Sequence, residues 1–271
     1  MPSAEGSMNF LVGGKNGMMM DTIILVHVDS EEREIRMVSL PRDLYYNGRK
    51  INSYHALYGM PQLLKELEKI SGYKIDKYIS IDMYAFIDVV DLIGGIDVHL
   101  DEALIDPTYK VIDNGVESTL HYEPGDYHLG GKEALRLARS RHTSSDFARA
   151  SRQHKILSSL KSAASELGFS NSGTLYEIVR AVLSKTETSI SIDEAIKYFF
   201  MYRDYKMGKT AVLSTGNILY SPPYVKQSDC EVMEILGESN QACVEERFAY
   251  TLLPIDDDWD KIKKFFRDNL Q

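Results

Sequence analysis

The chain has 271 residues and a formal net charge of -9, with 44% hydrophobic and 26% charged residues. This acidic balance argues against broad nucleic-acid binding, which depends on lysine and arginine neutralising phosphates. The hydrophobic content is enough for a packed core and excludes a disordered chain. No apolar run reaches the length of a membrane-spanning helix, and no signal peptide is visible.

The first half of the chain predicts strands that alternate with helices. Short apolar runs rich in Ile and Val indicate buried strands, and one of them pairs in a hairpin with a segment of alternating polarity. Glycines at 72, 94 and 95 are stop signals for two helices. The predicted strands are Asn9–Val12, Thr22–Val28, Glu34–Leu40, Tyr78–Met83 and Ile96–Leu100, and the predicted helices are Pro61–Ile70 and Ala85–Ile93.

The second half is less regular. Asp101–His128 has weak periodicity and several turn signals, so we expect a long excursion, and irregular Lys206–Gln241 is expected to be a surface insertion. Serines at 172 and 191 are typical helix caps. The predicted helices are Gly131–Arg139, Asp146–Leu167, two that follow Ser172 and Ser191 through Leu183 and Tyr202, and a last one that opens at Asp256–Asp258 and runs through Phe266; the late strands are Thr210–Ser214 and Phe248–Leu253.

Strands mixed with helices throughout predict an α/β fold, specifically a three-layer α-β-α sandwich with a central mixed β-sheet. Residues 1–8 are interpreted as an expression remnant or linker. Residues 9–271 are interpreted as one domain, because no linker or repeat interrupts them. Cys230 and Cys243 either close a short loop as a disulfide in an extracytoplasmic protein or remain two free thiols.

A basic block within this acidic protein indicates a site for an anion. The stretch from Arg136 to Lys155 holds six Lys or Arg and a single acidic residue, Asp146. At 100° per residue, Arg149 and Gln153 fall within the apolar stripe of the helix that they share. An arginine on a core-facing stripe needs an anion or a structural carboxylate, and a helix N-terminus favours phosphate.

Six segments in order resemble the LytR–CpsA–Psr family of cell-wall glycopolymer transferases. They are MDTIILVHVD, VSLPRD, KINSYHALYG, YISIDMYAFIDVVDLIGGIDV, GDYHLGGKEALRLARSR and DFARASRQ, and the later KTETSISIDEA also fits. The resemblance implies a single LytR–CpsA–Psr-like domain, with core motifs in residues 9–160 and the C-terminal part in residues 161–271.

The resemblance also implies an activity and a location. Members are usually anchored by an N-terminal transmembrane helix, here expected upstream of the chain, and face the outside of the cytoplasmic membrane. They bind a polyprenyl pyrophosphate-linked glycan and transfer it to a hydroxyl of peptidoglycan or another glycan acceptor. Polyprenyl phosphate leaves, and Mg²⁺ assists. No nucleic-acid partner is implied.

The resemblance assigns site residues by position. Arginine suits pyrophosphate because its charge is permanent and its planar fork matches phosphate oxygens. Asp21 matches a Mg²⁺ ligand, and carboxylate oxygens are what Mg²⁺ prefers. The residues that match pyrophosphate contacts are Arg42, Arg139, Arg141, Arg149 and Gln153, with Lys50 as a further contact; Arg42, Arg139, Arg141 and Asp21 are the catalytic candidates. A lipid tunnel would be lined by Ile79, Ile81, Phe86 and Val90, although each taken singly suits an ordinary core.

Two departures from the family pattern keep alternatives open. Met19 stands where the family commonly has arginine, and Val12–Lys15 lacks the second aspartate. The chain is then either a transferase or a catalytically degenerate protein that binds a polyprenyl-(pyro)phosphate lipid. A third hypothesis is a scaffold that docks acidic proteins on its basic block. In purely structural interpretations, Arg139 and Arg141 form a solvated helix end, and Arg149 pairs with Asp146.

Overall fold

The computed structural model describes residues 7–113, 116–140, 146–166, 172–222, 226–227, 247–248 and 250–271. The chain divides into two compact units. The first unit consists of Met1–Asp82, Glu187–Ser189 and Lys206–Gln271, and the second of Met83–Thr186 and Ile190–Tyr205. Cys230 and Cys243 lie outside the described residues.

Helices and strands alternate along most of the described chain. The helices are α1 (Tyr54–Ser71), α2 (Met83–Leu92), α3 (Gly131–Arg139), α4 (Asp146–Glu166), α5 (Ser172–Ser184), α6 (Ile192–Tyr202) and α7 (Trp259–Leu270). The longer strands are β1 (Met8–Asn16), β2 (Met19–Asp29), β3 (Glu34–Leu40), β6 (Lys77–Asp82), β7 (Ile96–Leu100), β8 (Leu104–Asp113), β9 (Val116–Tyr122), β10 (Gly125–Leu129) and β12 (Lys206–Val212). The short strands are β4 (Tyr45–Tyr46), β5 (Arg49–Lys50), β11 (Thr186–Thr188), β13 (Leu219–Tyr220), β14 (Lys226–Gln227), β15 (Arg247–Phe248) and β16 (Leu253–Pro254).

The first unit is built on a six-stranded sheet in the order β11-β6-β1-β2-β3-β12. The sheet is mixed, because β1–β2 and β2–β3 pair antiparallel whereas β1–β6 and β3–β12 pair parallel. One face packs against α1 and α7 in an apolar core. That core includes Leu11, Leu25 and Val38 from the sheet, Leu63 and Leu67 from α1, and Phe266 and Leu270 from α7.

Helix α1 bends at Gly59, whose φ of 76° is readily adopted only by glycine. Pro61 then starts a second helical segment, where its missing N–H costs nothing. The predicted helix Pro61–Ile70 is this second segment. Gly72 ends it in the left-handed conformation and donates its N–H to Glu68 O at 2.9 Å, as the sequence predicts.

The second unit contains two antiparallel pairs, β7 with β10 and β8 with β9. Its separate apolar core draws on the strands, on α2, on α3 and on α4. Helix α6 begins with a capping box, in which Ser191 Oγ accepts from the N–H of Glu194 and the Glu194 carboxylate accepts from the N–H of Ser191. The predicted cap at Ser191 is therefore confirmed.

One prediction about an irregular segment is wrong, and a second is wrong for the first residues of its segment. Asp101–His128 contains β8, β9 and most of β10, and a register shift between Asp106 and Lys110 removes the alternation that would have revealed the hairpin. Lys206–Gln241 begins with β12, an edge strand of the six-stranded sheet that overlaps the predicted strand Thr210–Ser214. Residues 223–225 and 228–241 of this segment lie outside the described residues. Val212 is the one fully buried residue of β12, so the first residues of the strand lack a clear apolar pattern.

The predicted fold class, an α/β protein with a central mixed sheet, is confirmed. The division into residues 1–8 and one domain at 9–271 stays a prediction. Within the described residues, every helix is too short or too polar to cross a bilayer.

Gly131 generates a prediction about the contact of α3 with α2. A Cβ at Gly131 would lie 2.2 Å from the carbonyl oxygen of Ile87, which is backbone and cannot rotate away. Gly131→Ala is therefore expected to destabilise the protein by about 1–3 kcal/mol, the range for overpacking. Gly216→Ala is the control, since its Cβ would meet nothing closer than 3.4 Å. Equal midpoints of urea unfolding for both variants would contradict the close packing.

The buried ring of His154 is expected to make the free energy of unfolding depend on pH. It is 4% exposed, and burial lowers its pKa from 6.5 to about 4. Between these values the unfolded chain binds a proton that the folded protein excludes. The free energy of unfolding should therefore fall as the pH drops from about 6.5 to about 4, by on the order of 3 kcal/mol from this group. Urea unfolding across that range should show a shallower pH dependence for His154→Gln; identical slopes would contradict the assignment.

Candidate functional site

Asp21 occupies an irregularity in the pairing of β1 with β2. The Cα pairing runs from Gly14 with Thr22 to Lys15 with Met20, so Asp21 is the extra residue of a bulge. A bulge increases the local twist and redirects a side chain. The Asp21 carboxylate faces Arg42, in the loop that follows β3.

Arg42 lies between two carboxylates. Its Nη1 donates to Asp21 Oδ1 at 2.7 Å, and its Nε donates to Asp43 Oδ2 at 3.4 Å. Lys50 Nζ donates to the other oxygen of Asp43 at 2.8 Å. The four side chains of Asp21, Arg42, Asp43 and Lys50, named here the Arg42 cluster, carry two positive and two negative charges.

The loop that carries Arg42 is fixed by its backbone. Pro41 ends β3, and its carbonyl oxygen accepts from Leu44 N at 3.1 Å in a turn. The carbonyl oxygen of Arg42 accepts from Asn52 N at 3.2 Å, and that of Asp43 from Leu252 N at 3.0 Å. Because the backbone is held from three sides, the guanidinium position depends only on the side chain and its carboxylate partners.

The cluster keeps Arg42 charged while partly removing it from water. Burial lowers the pKa of Arg42, but the hydrogen bonds and charges of Asp21 and Asp43 outweigh burial and raise that pKa above its ordinary value. The side chains of Arg42 and Asp21 are 26% and 28% exposed, so both remain accessible from solvent. An incoming phosphate could therefore exchange with the carboxylates for the guanidinium.

Of the two carboxylates in the Arg42 cluster, Asp21 is the one that could join a magnesium ion held mainly by waters and substrate phosphates. In the described part of the chain, no group of three His, Cys, Asp or Glu is placed to hold a metal ion. Asp43 already accepts from Lys50 and Arg42 through its two oxygens. Asp21 uses one oxygen toward Arg42. Since Mg²⁺ is commonly held by one or two carboxylates, waters and substrate phosphates, Asp21 fits as such a ligand.

A second network lies at the same hairpin end of the sheet. Lys15 Nζ donates to Glu187 Oε2 at 2.8 Å, and His55 Nε2 lies 3.0 Å from the same oxygen. Burial raises the pKa of Glu187, but Lys15 and His55 together hold it below its ordinary value. Lys15 ends the stretch Val12–Lys15, in which the resemblance led us to expect a second aspartate, and it is thus paired within the protein. Sequence reasoning missed Glu187 and His55, although both lie in segments that carry the family resemblance.

In the second unit, two side chains of α4 satisfy the last carbonyl groups of α3. Arg152 Nε donates to Leu137 O at 3.1 Å and its Nη2 to Ser140 O at 2.6 Å. Gln153 Nε2 donates to Ala138 O at 3.3 Å. A guanidinium at a helix C-terminus also opposes the negative end of the helix dipole. The predicted substrate residue Gln153 therefore has a structural contact here.

A buried carboxylate, that of Asp106, lies close enough to Arg152 to act on its charge. Asp106 is 2% exposed; its Oδ1 accepts from Thr108 and Tyr109, and its Oδ2 accepts from Ser140 Oγ at 2.8 Å. Burial lowers the pKa of Arg152, the charge of Arg149 lowers it further, and Asp106 opposes both. The two guanidinium groups thus form a concentrated positive charge. Asp106 was not predicted because it lies in the segment interpreted as an excursion.

The predicted pyrophosphate residues fall in both units. Arg42 and Lys50 share the Arg42 cluster with Asp21. In the second unit, Arg139 is the exposed last residue of α3, and Arg149 is 8% exposed on α4. Arg141 and the side chain of Asp146 lie outside the described residues.

The predicted tunnel residues differ in burial. Val90 is fully buried in the apolar core of the second unit, where it packs as an ordinary core residue. Phe86 is half-buried against the same core. Ile79 and Ile81 are half-buried on β6 of the first unit. The lipid tunnel stays a prediction.

Comparison with known proteins identifies relatives of this chain. The chain is 29% identical over 260 residues to the polyisoprenyl-teichoic acid–peptidoglycan teichoic acid transferase TagV of Bacillus subtilis, covering 91% of this chain and 64% of that protein. It is 28% identical over 195 residues to the transferase of the same description, TagU, of Bacillus cereus, covering 69% and 59%. The chain therefore spans about three fifths of the length of these curated relatives.

The fold likeness extends over nearly the whole chain. The crystal structure of B. subtilis TagV superposes with a TM-score of 0.70 at 23% identity, covering 99% of this chain and 98% of that one. The sequence model of the LytR_cpsA_psr family matches residues 3–232. A match of that extent covers most of the 271 residues, and the chain belongs to the LytR_cpsA_psr family.

Proposed function

We propose that this protein is a phosphotransferase that moves a glycopolymer from a polyprenyl pyrophosphate carrier to a hydroxyl of peptidoglycan or a related glycan. The proposed location is the extracytoplasmic face of the cytoplasmic membrane, with an N-terminal anchor beyond this chain. Relatives named as teichoic acid–peptidoglycan transferases support the substrate class. The observation that carries the proposal is the Arg42 cluster, in which a permanently charged guanidinium is fixed yet remains accessible.

The proposed reaction is an in-line displacement at phosphorus. The acceptor hydroxyl oxygen forms a bond to the sugar-linked phosphorus, the bond from that phosphorus to the bridging oxygen breaks, and polyprenyl phosphate leaves as one proton is released. Such transfers rely on positioning and on neutralising charge on the phosphate oxygens. Arg42 and Lys50 of the first unit are assigned to that neutralisation.

The second unit supplies the other assigned residues. Arg139, Arg141, Arg149 and Gln153 are proposed to contact the pyrophosphate, as the family positions imply. Arg149 suits this role because it lies close enough to Arg152 for their charges to repel, and an added anion would relieve that repulsion. Asp106 is proposed as a positioning residue, since its carboxylate holds Ser140 directly after Arg139.

Asp21 is the residue proposed to hold Mg²⁺ together with phosphate oxygens. When bound, the ion would neutralise charge on the leaving pyrophosphate. Without it, Asp21 holds Arg42 through the 2.7 Å contact. In the structure, the carboxylate therefore orients the guanidinium.

A second candidate is a lipid-binding protein of the same fold without catalysis. The observations that favour it are Met19 at a position commonly occupied by arginine and Lys15 paired with Glu187 at 2.8 Å. Both leave the hairpin end with fewer groups for metal and phosphate.

The scaffold hypothesis is less well supported, because Arg149 is buried and Arg152 donates to two backbone carbonyls. Of the described cations in the basic block, Arg139 is exposed, whereas Arg149 and Arg152 offer little surface to a docking protein.

Arg139→Ala is expected to lower the transfer rate by about 10²–10³-fold, the usual effect of removing a group that stabilises transition-state charge. Its thermal unfolding should not change, because Arg139 is exposed. Lys132→Ala, an exposed cation on the same helix, is the matched control and should retain activity. The assay follows transfer of a lipid-linked glycopolymer to peptidoglycan; full activity in Arg139→Ala would remove this residue from the site.

Asp21→Asn is expected to abolish Mg²⁺ uptake in calorimetric titrations with pyrophosphate present, because the amide carries no charge. Asp260→Asn is the control, since its side chain is 84% exposed and pairs only with Lys263 among the described residues. Wild-type protein that takes up no Mg²⁺ would favour the lipid-binding alternative. Uptake that persists in Asp21→Asn would place the ion elsewhere.

A further inference from the structure

Three charged or titratable side chains meet beside the hairpin that joins β1 to β2. Lys15 Nζ donates to Glu187 Oε2 at 2.8 Å, and His55 Nε2 lies 3.0 Å from the same oxygen and 3.3 Å from Glu187 Oε1. The side chains of Lys15, His55 and Glu187, named here the Glu187 network, come from β1, from the start of α1 and from β11. All three belong to the first unit, and the proposed transfer reaction assigns none of them a role.

The His55 ring also contacts the hairpin turn itself. Its Nδ1 lies 3.2 Å from the carbonyl oxygen of Met18. Because Asn16 is the Cα partner of Met19, the turn between the two strands consists of Gly17 and Met18. The His55 side chain is 12% exposed. The imidazole is therefore a partly buried link between the turn and β11.

The two contacts of the His55 ring coexist in one protonation state only. The Met18 carbonyl oxygen has no hydrogen to donate, and an ionised carboxylate has none either. Burial raises the pKa of Glu187, but Lys15 and His55 together lower it below its ordinary value, so this carboxylate is ionised at neutral pH. A neutral imidazole has a single N–H and would point its other lone pair at an acceptor. Both contacts therefore require the imidazolium, in which both nitrogens donate.

The Glu187 network holds the hairpin on both sides of the bulge that presents Asp21. Lys15 is the first residue of β1 after the register shift, and its partner Met20 directly precedes Asp21. The ion pair fixes Lys15 on one strand, and His55 fixes Met18 in the turn that leads into the other. Since a bulge sets the direction of its side chain, a change at either anchor is transmitted to Asp21 and to the guanidinium that it holds.

Other titratable groups lie on the elements that meet at the network. Glu187 lies on β11 and Lys15 on β1, and the Cα partner of Lys15 on β6 is the exposed Asp82. Burial raises the pKa of Tyr78 on β6, the charge of Glu187 raises it further, and that of Lys15 lowers it. On α1 itself, burial chiefly raises the pKa of Tyr54 to about 12. Of these side-chain types, histidine alone ordinarily changes its charge between pH 5 and 8.

We propose that His55 and Glu187 are positioning residues of the Arg42 cluster. The imidazolium, bound between the turn carbonyl and the carboxylate, holds the bulge that directs Asp21. As the pH rises and the ring loses a proton, one of its two contacts is lost, and Asp21 is held less well. A displacement of about 1 Å at a catalytic site can lower a rate by about 10²-fold. The effect on transfer rests on the proposed function, whereas the coupling of His55 to Asp21 does not.

NMR of the whole protein tests the coupling without any substrate. The ring nitrogen resonances of His55 give the midpoint of its titration, and the backbone amide of Asp21 should shift with the same midpoint. In His55→Gln, whose amide donates but does not titrate, this shift should be absent. His121→Gln is the matched control, because His121 pairs with a glutamate of the second unit, Glu123, at 2.7 Å. An Asp21 amide that does not follow His55 in the wild-type protein overturns the inference.

The pH profile of transfer is the second readout. The wild-type kcat is expected to fall by about 10–100-fold as the pH rises through the His55 midpoint, because the Arg42 cluster is then less well positioned. His55→Gln should lack this step, and His121→Gln should keep it. Glu187→Gln should transfer slowly even at low pH, since its side chain no longer pairs with Lys15 or the imidazolium. A His55→Gln variant that unfolds at a lower temperature but keeps the wild-type pH profile would show a structural role and overturn the inference.

Failure of the inference and failure of the proposed function give different results. Wild-type protein that transfers no glycopolymer at any pH, while the Asp21 amide follows His55, counts against the proposed function alone. Transfer whose wild-type and His55→Gln profiles have the same shape, with an Asp21 amide that ignores the His55 titration, counts against the positioning role alone.

Discussion

The pairing of β1 with β2 is the constraint on which the rest of the first unit depends. It lies at the centre of the sheet and sets which side chains face α1 and α7. Near the hairpin end the register shifts, and the extra residue is Asp21. Without that bulge the side-chain alternation would be uninterrupted, and Asp21 would take a different direction. One irregularity in an otherwise regular ladder thus provides the carboxylate that holds Arg42.

Charge balance recurs at the sites of the first unit. The Arg42 cluster and the Lys15–Glu187 pair each set cations against carboxylates. Such pairing lowers the cost of partly burying charge. It also holds the arginine of the Arg42 cluster in position before any phosphate arrives. An anion that binds there exchanges one set of contacts for another, and little side-chain order remains to be lost.

The second unit uses its arginines differently. Arg152 closes the end of α3 by binding backbone carbonyl groups, and Asp106 holds the residue that follows that helix. The contacts that satisfy the last carbonyl groups of α3 therefore also fix the position of Arg139, its last residue. Stability and a candidate function share these residues, so the effect of changing Arg152 on activity has to be separated from its effect on folding.

The sequence by itself determined the family, the α/β class, most helices and the central strands, because their apolar periodicity, caps and glycine stops are local signals. It also indicated Arg42 and Asp21, through a resemblance carried by short contiguous motifs. Only the tertiary structure decided which charges meet. Glu187 reaches Lys15 across 172 positions, and Asp106 reaches Ser140 across 34, from a segment with weak periodicity. Cross-strand register and helix packing create such contacts, and no local pattern encodes them.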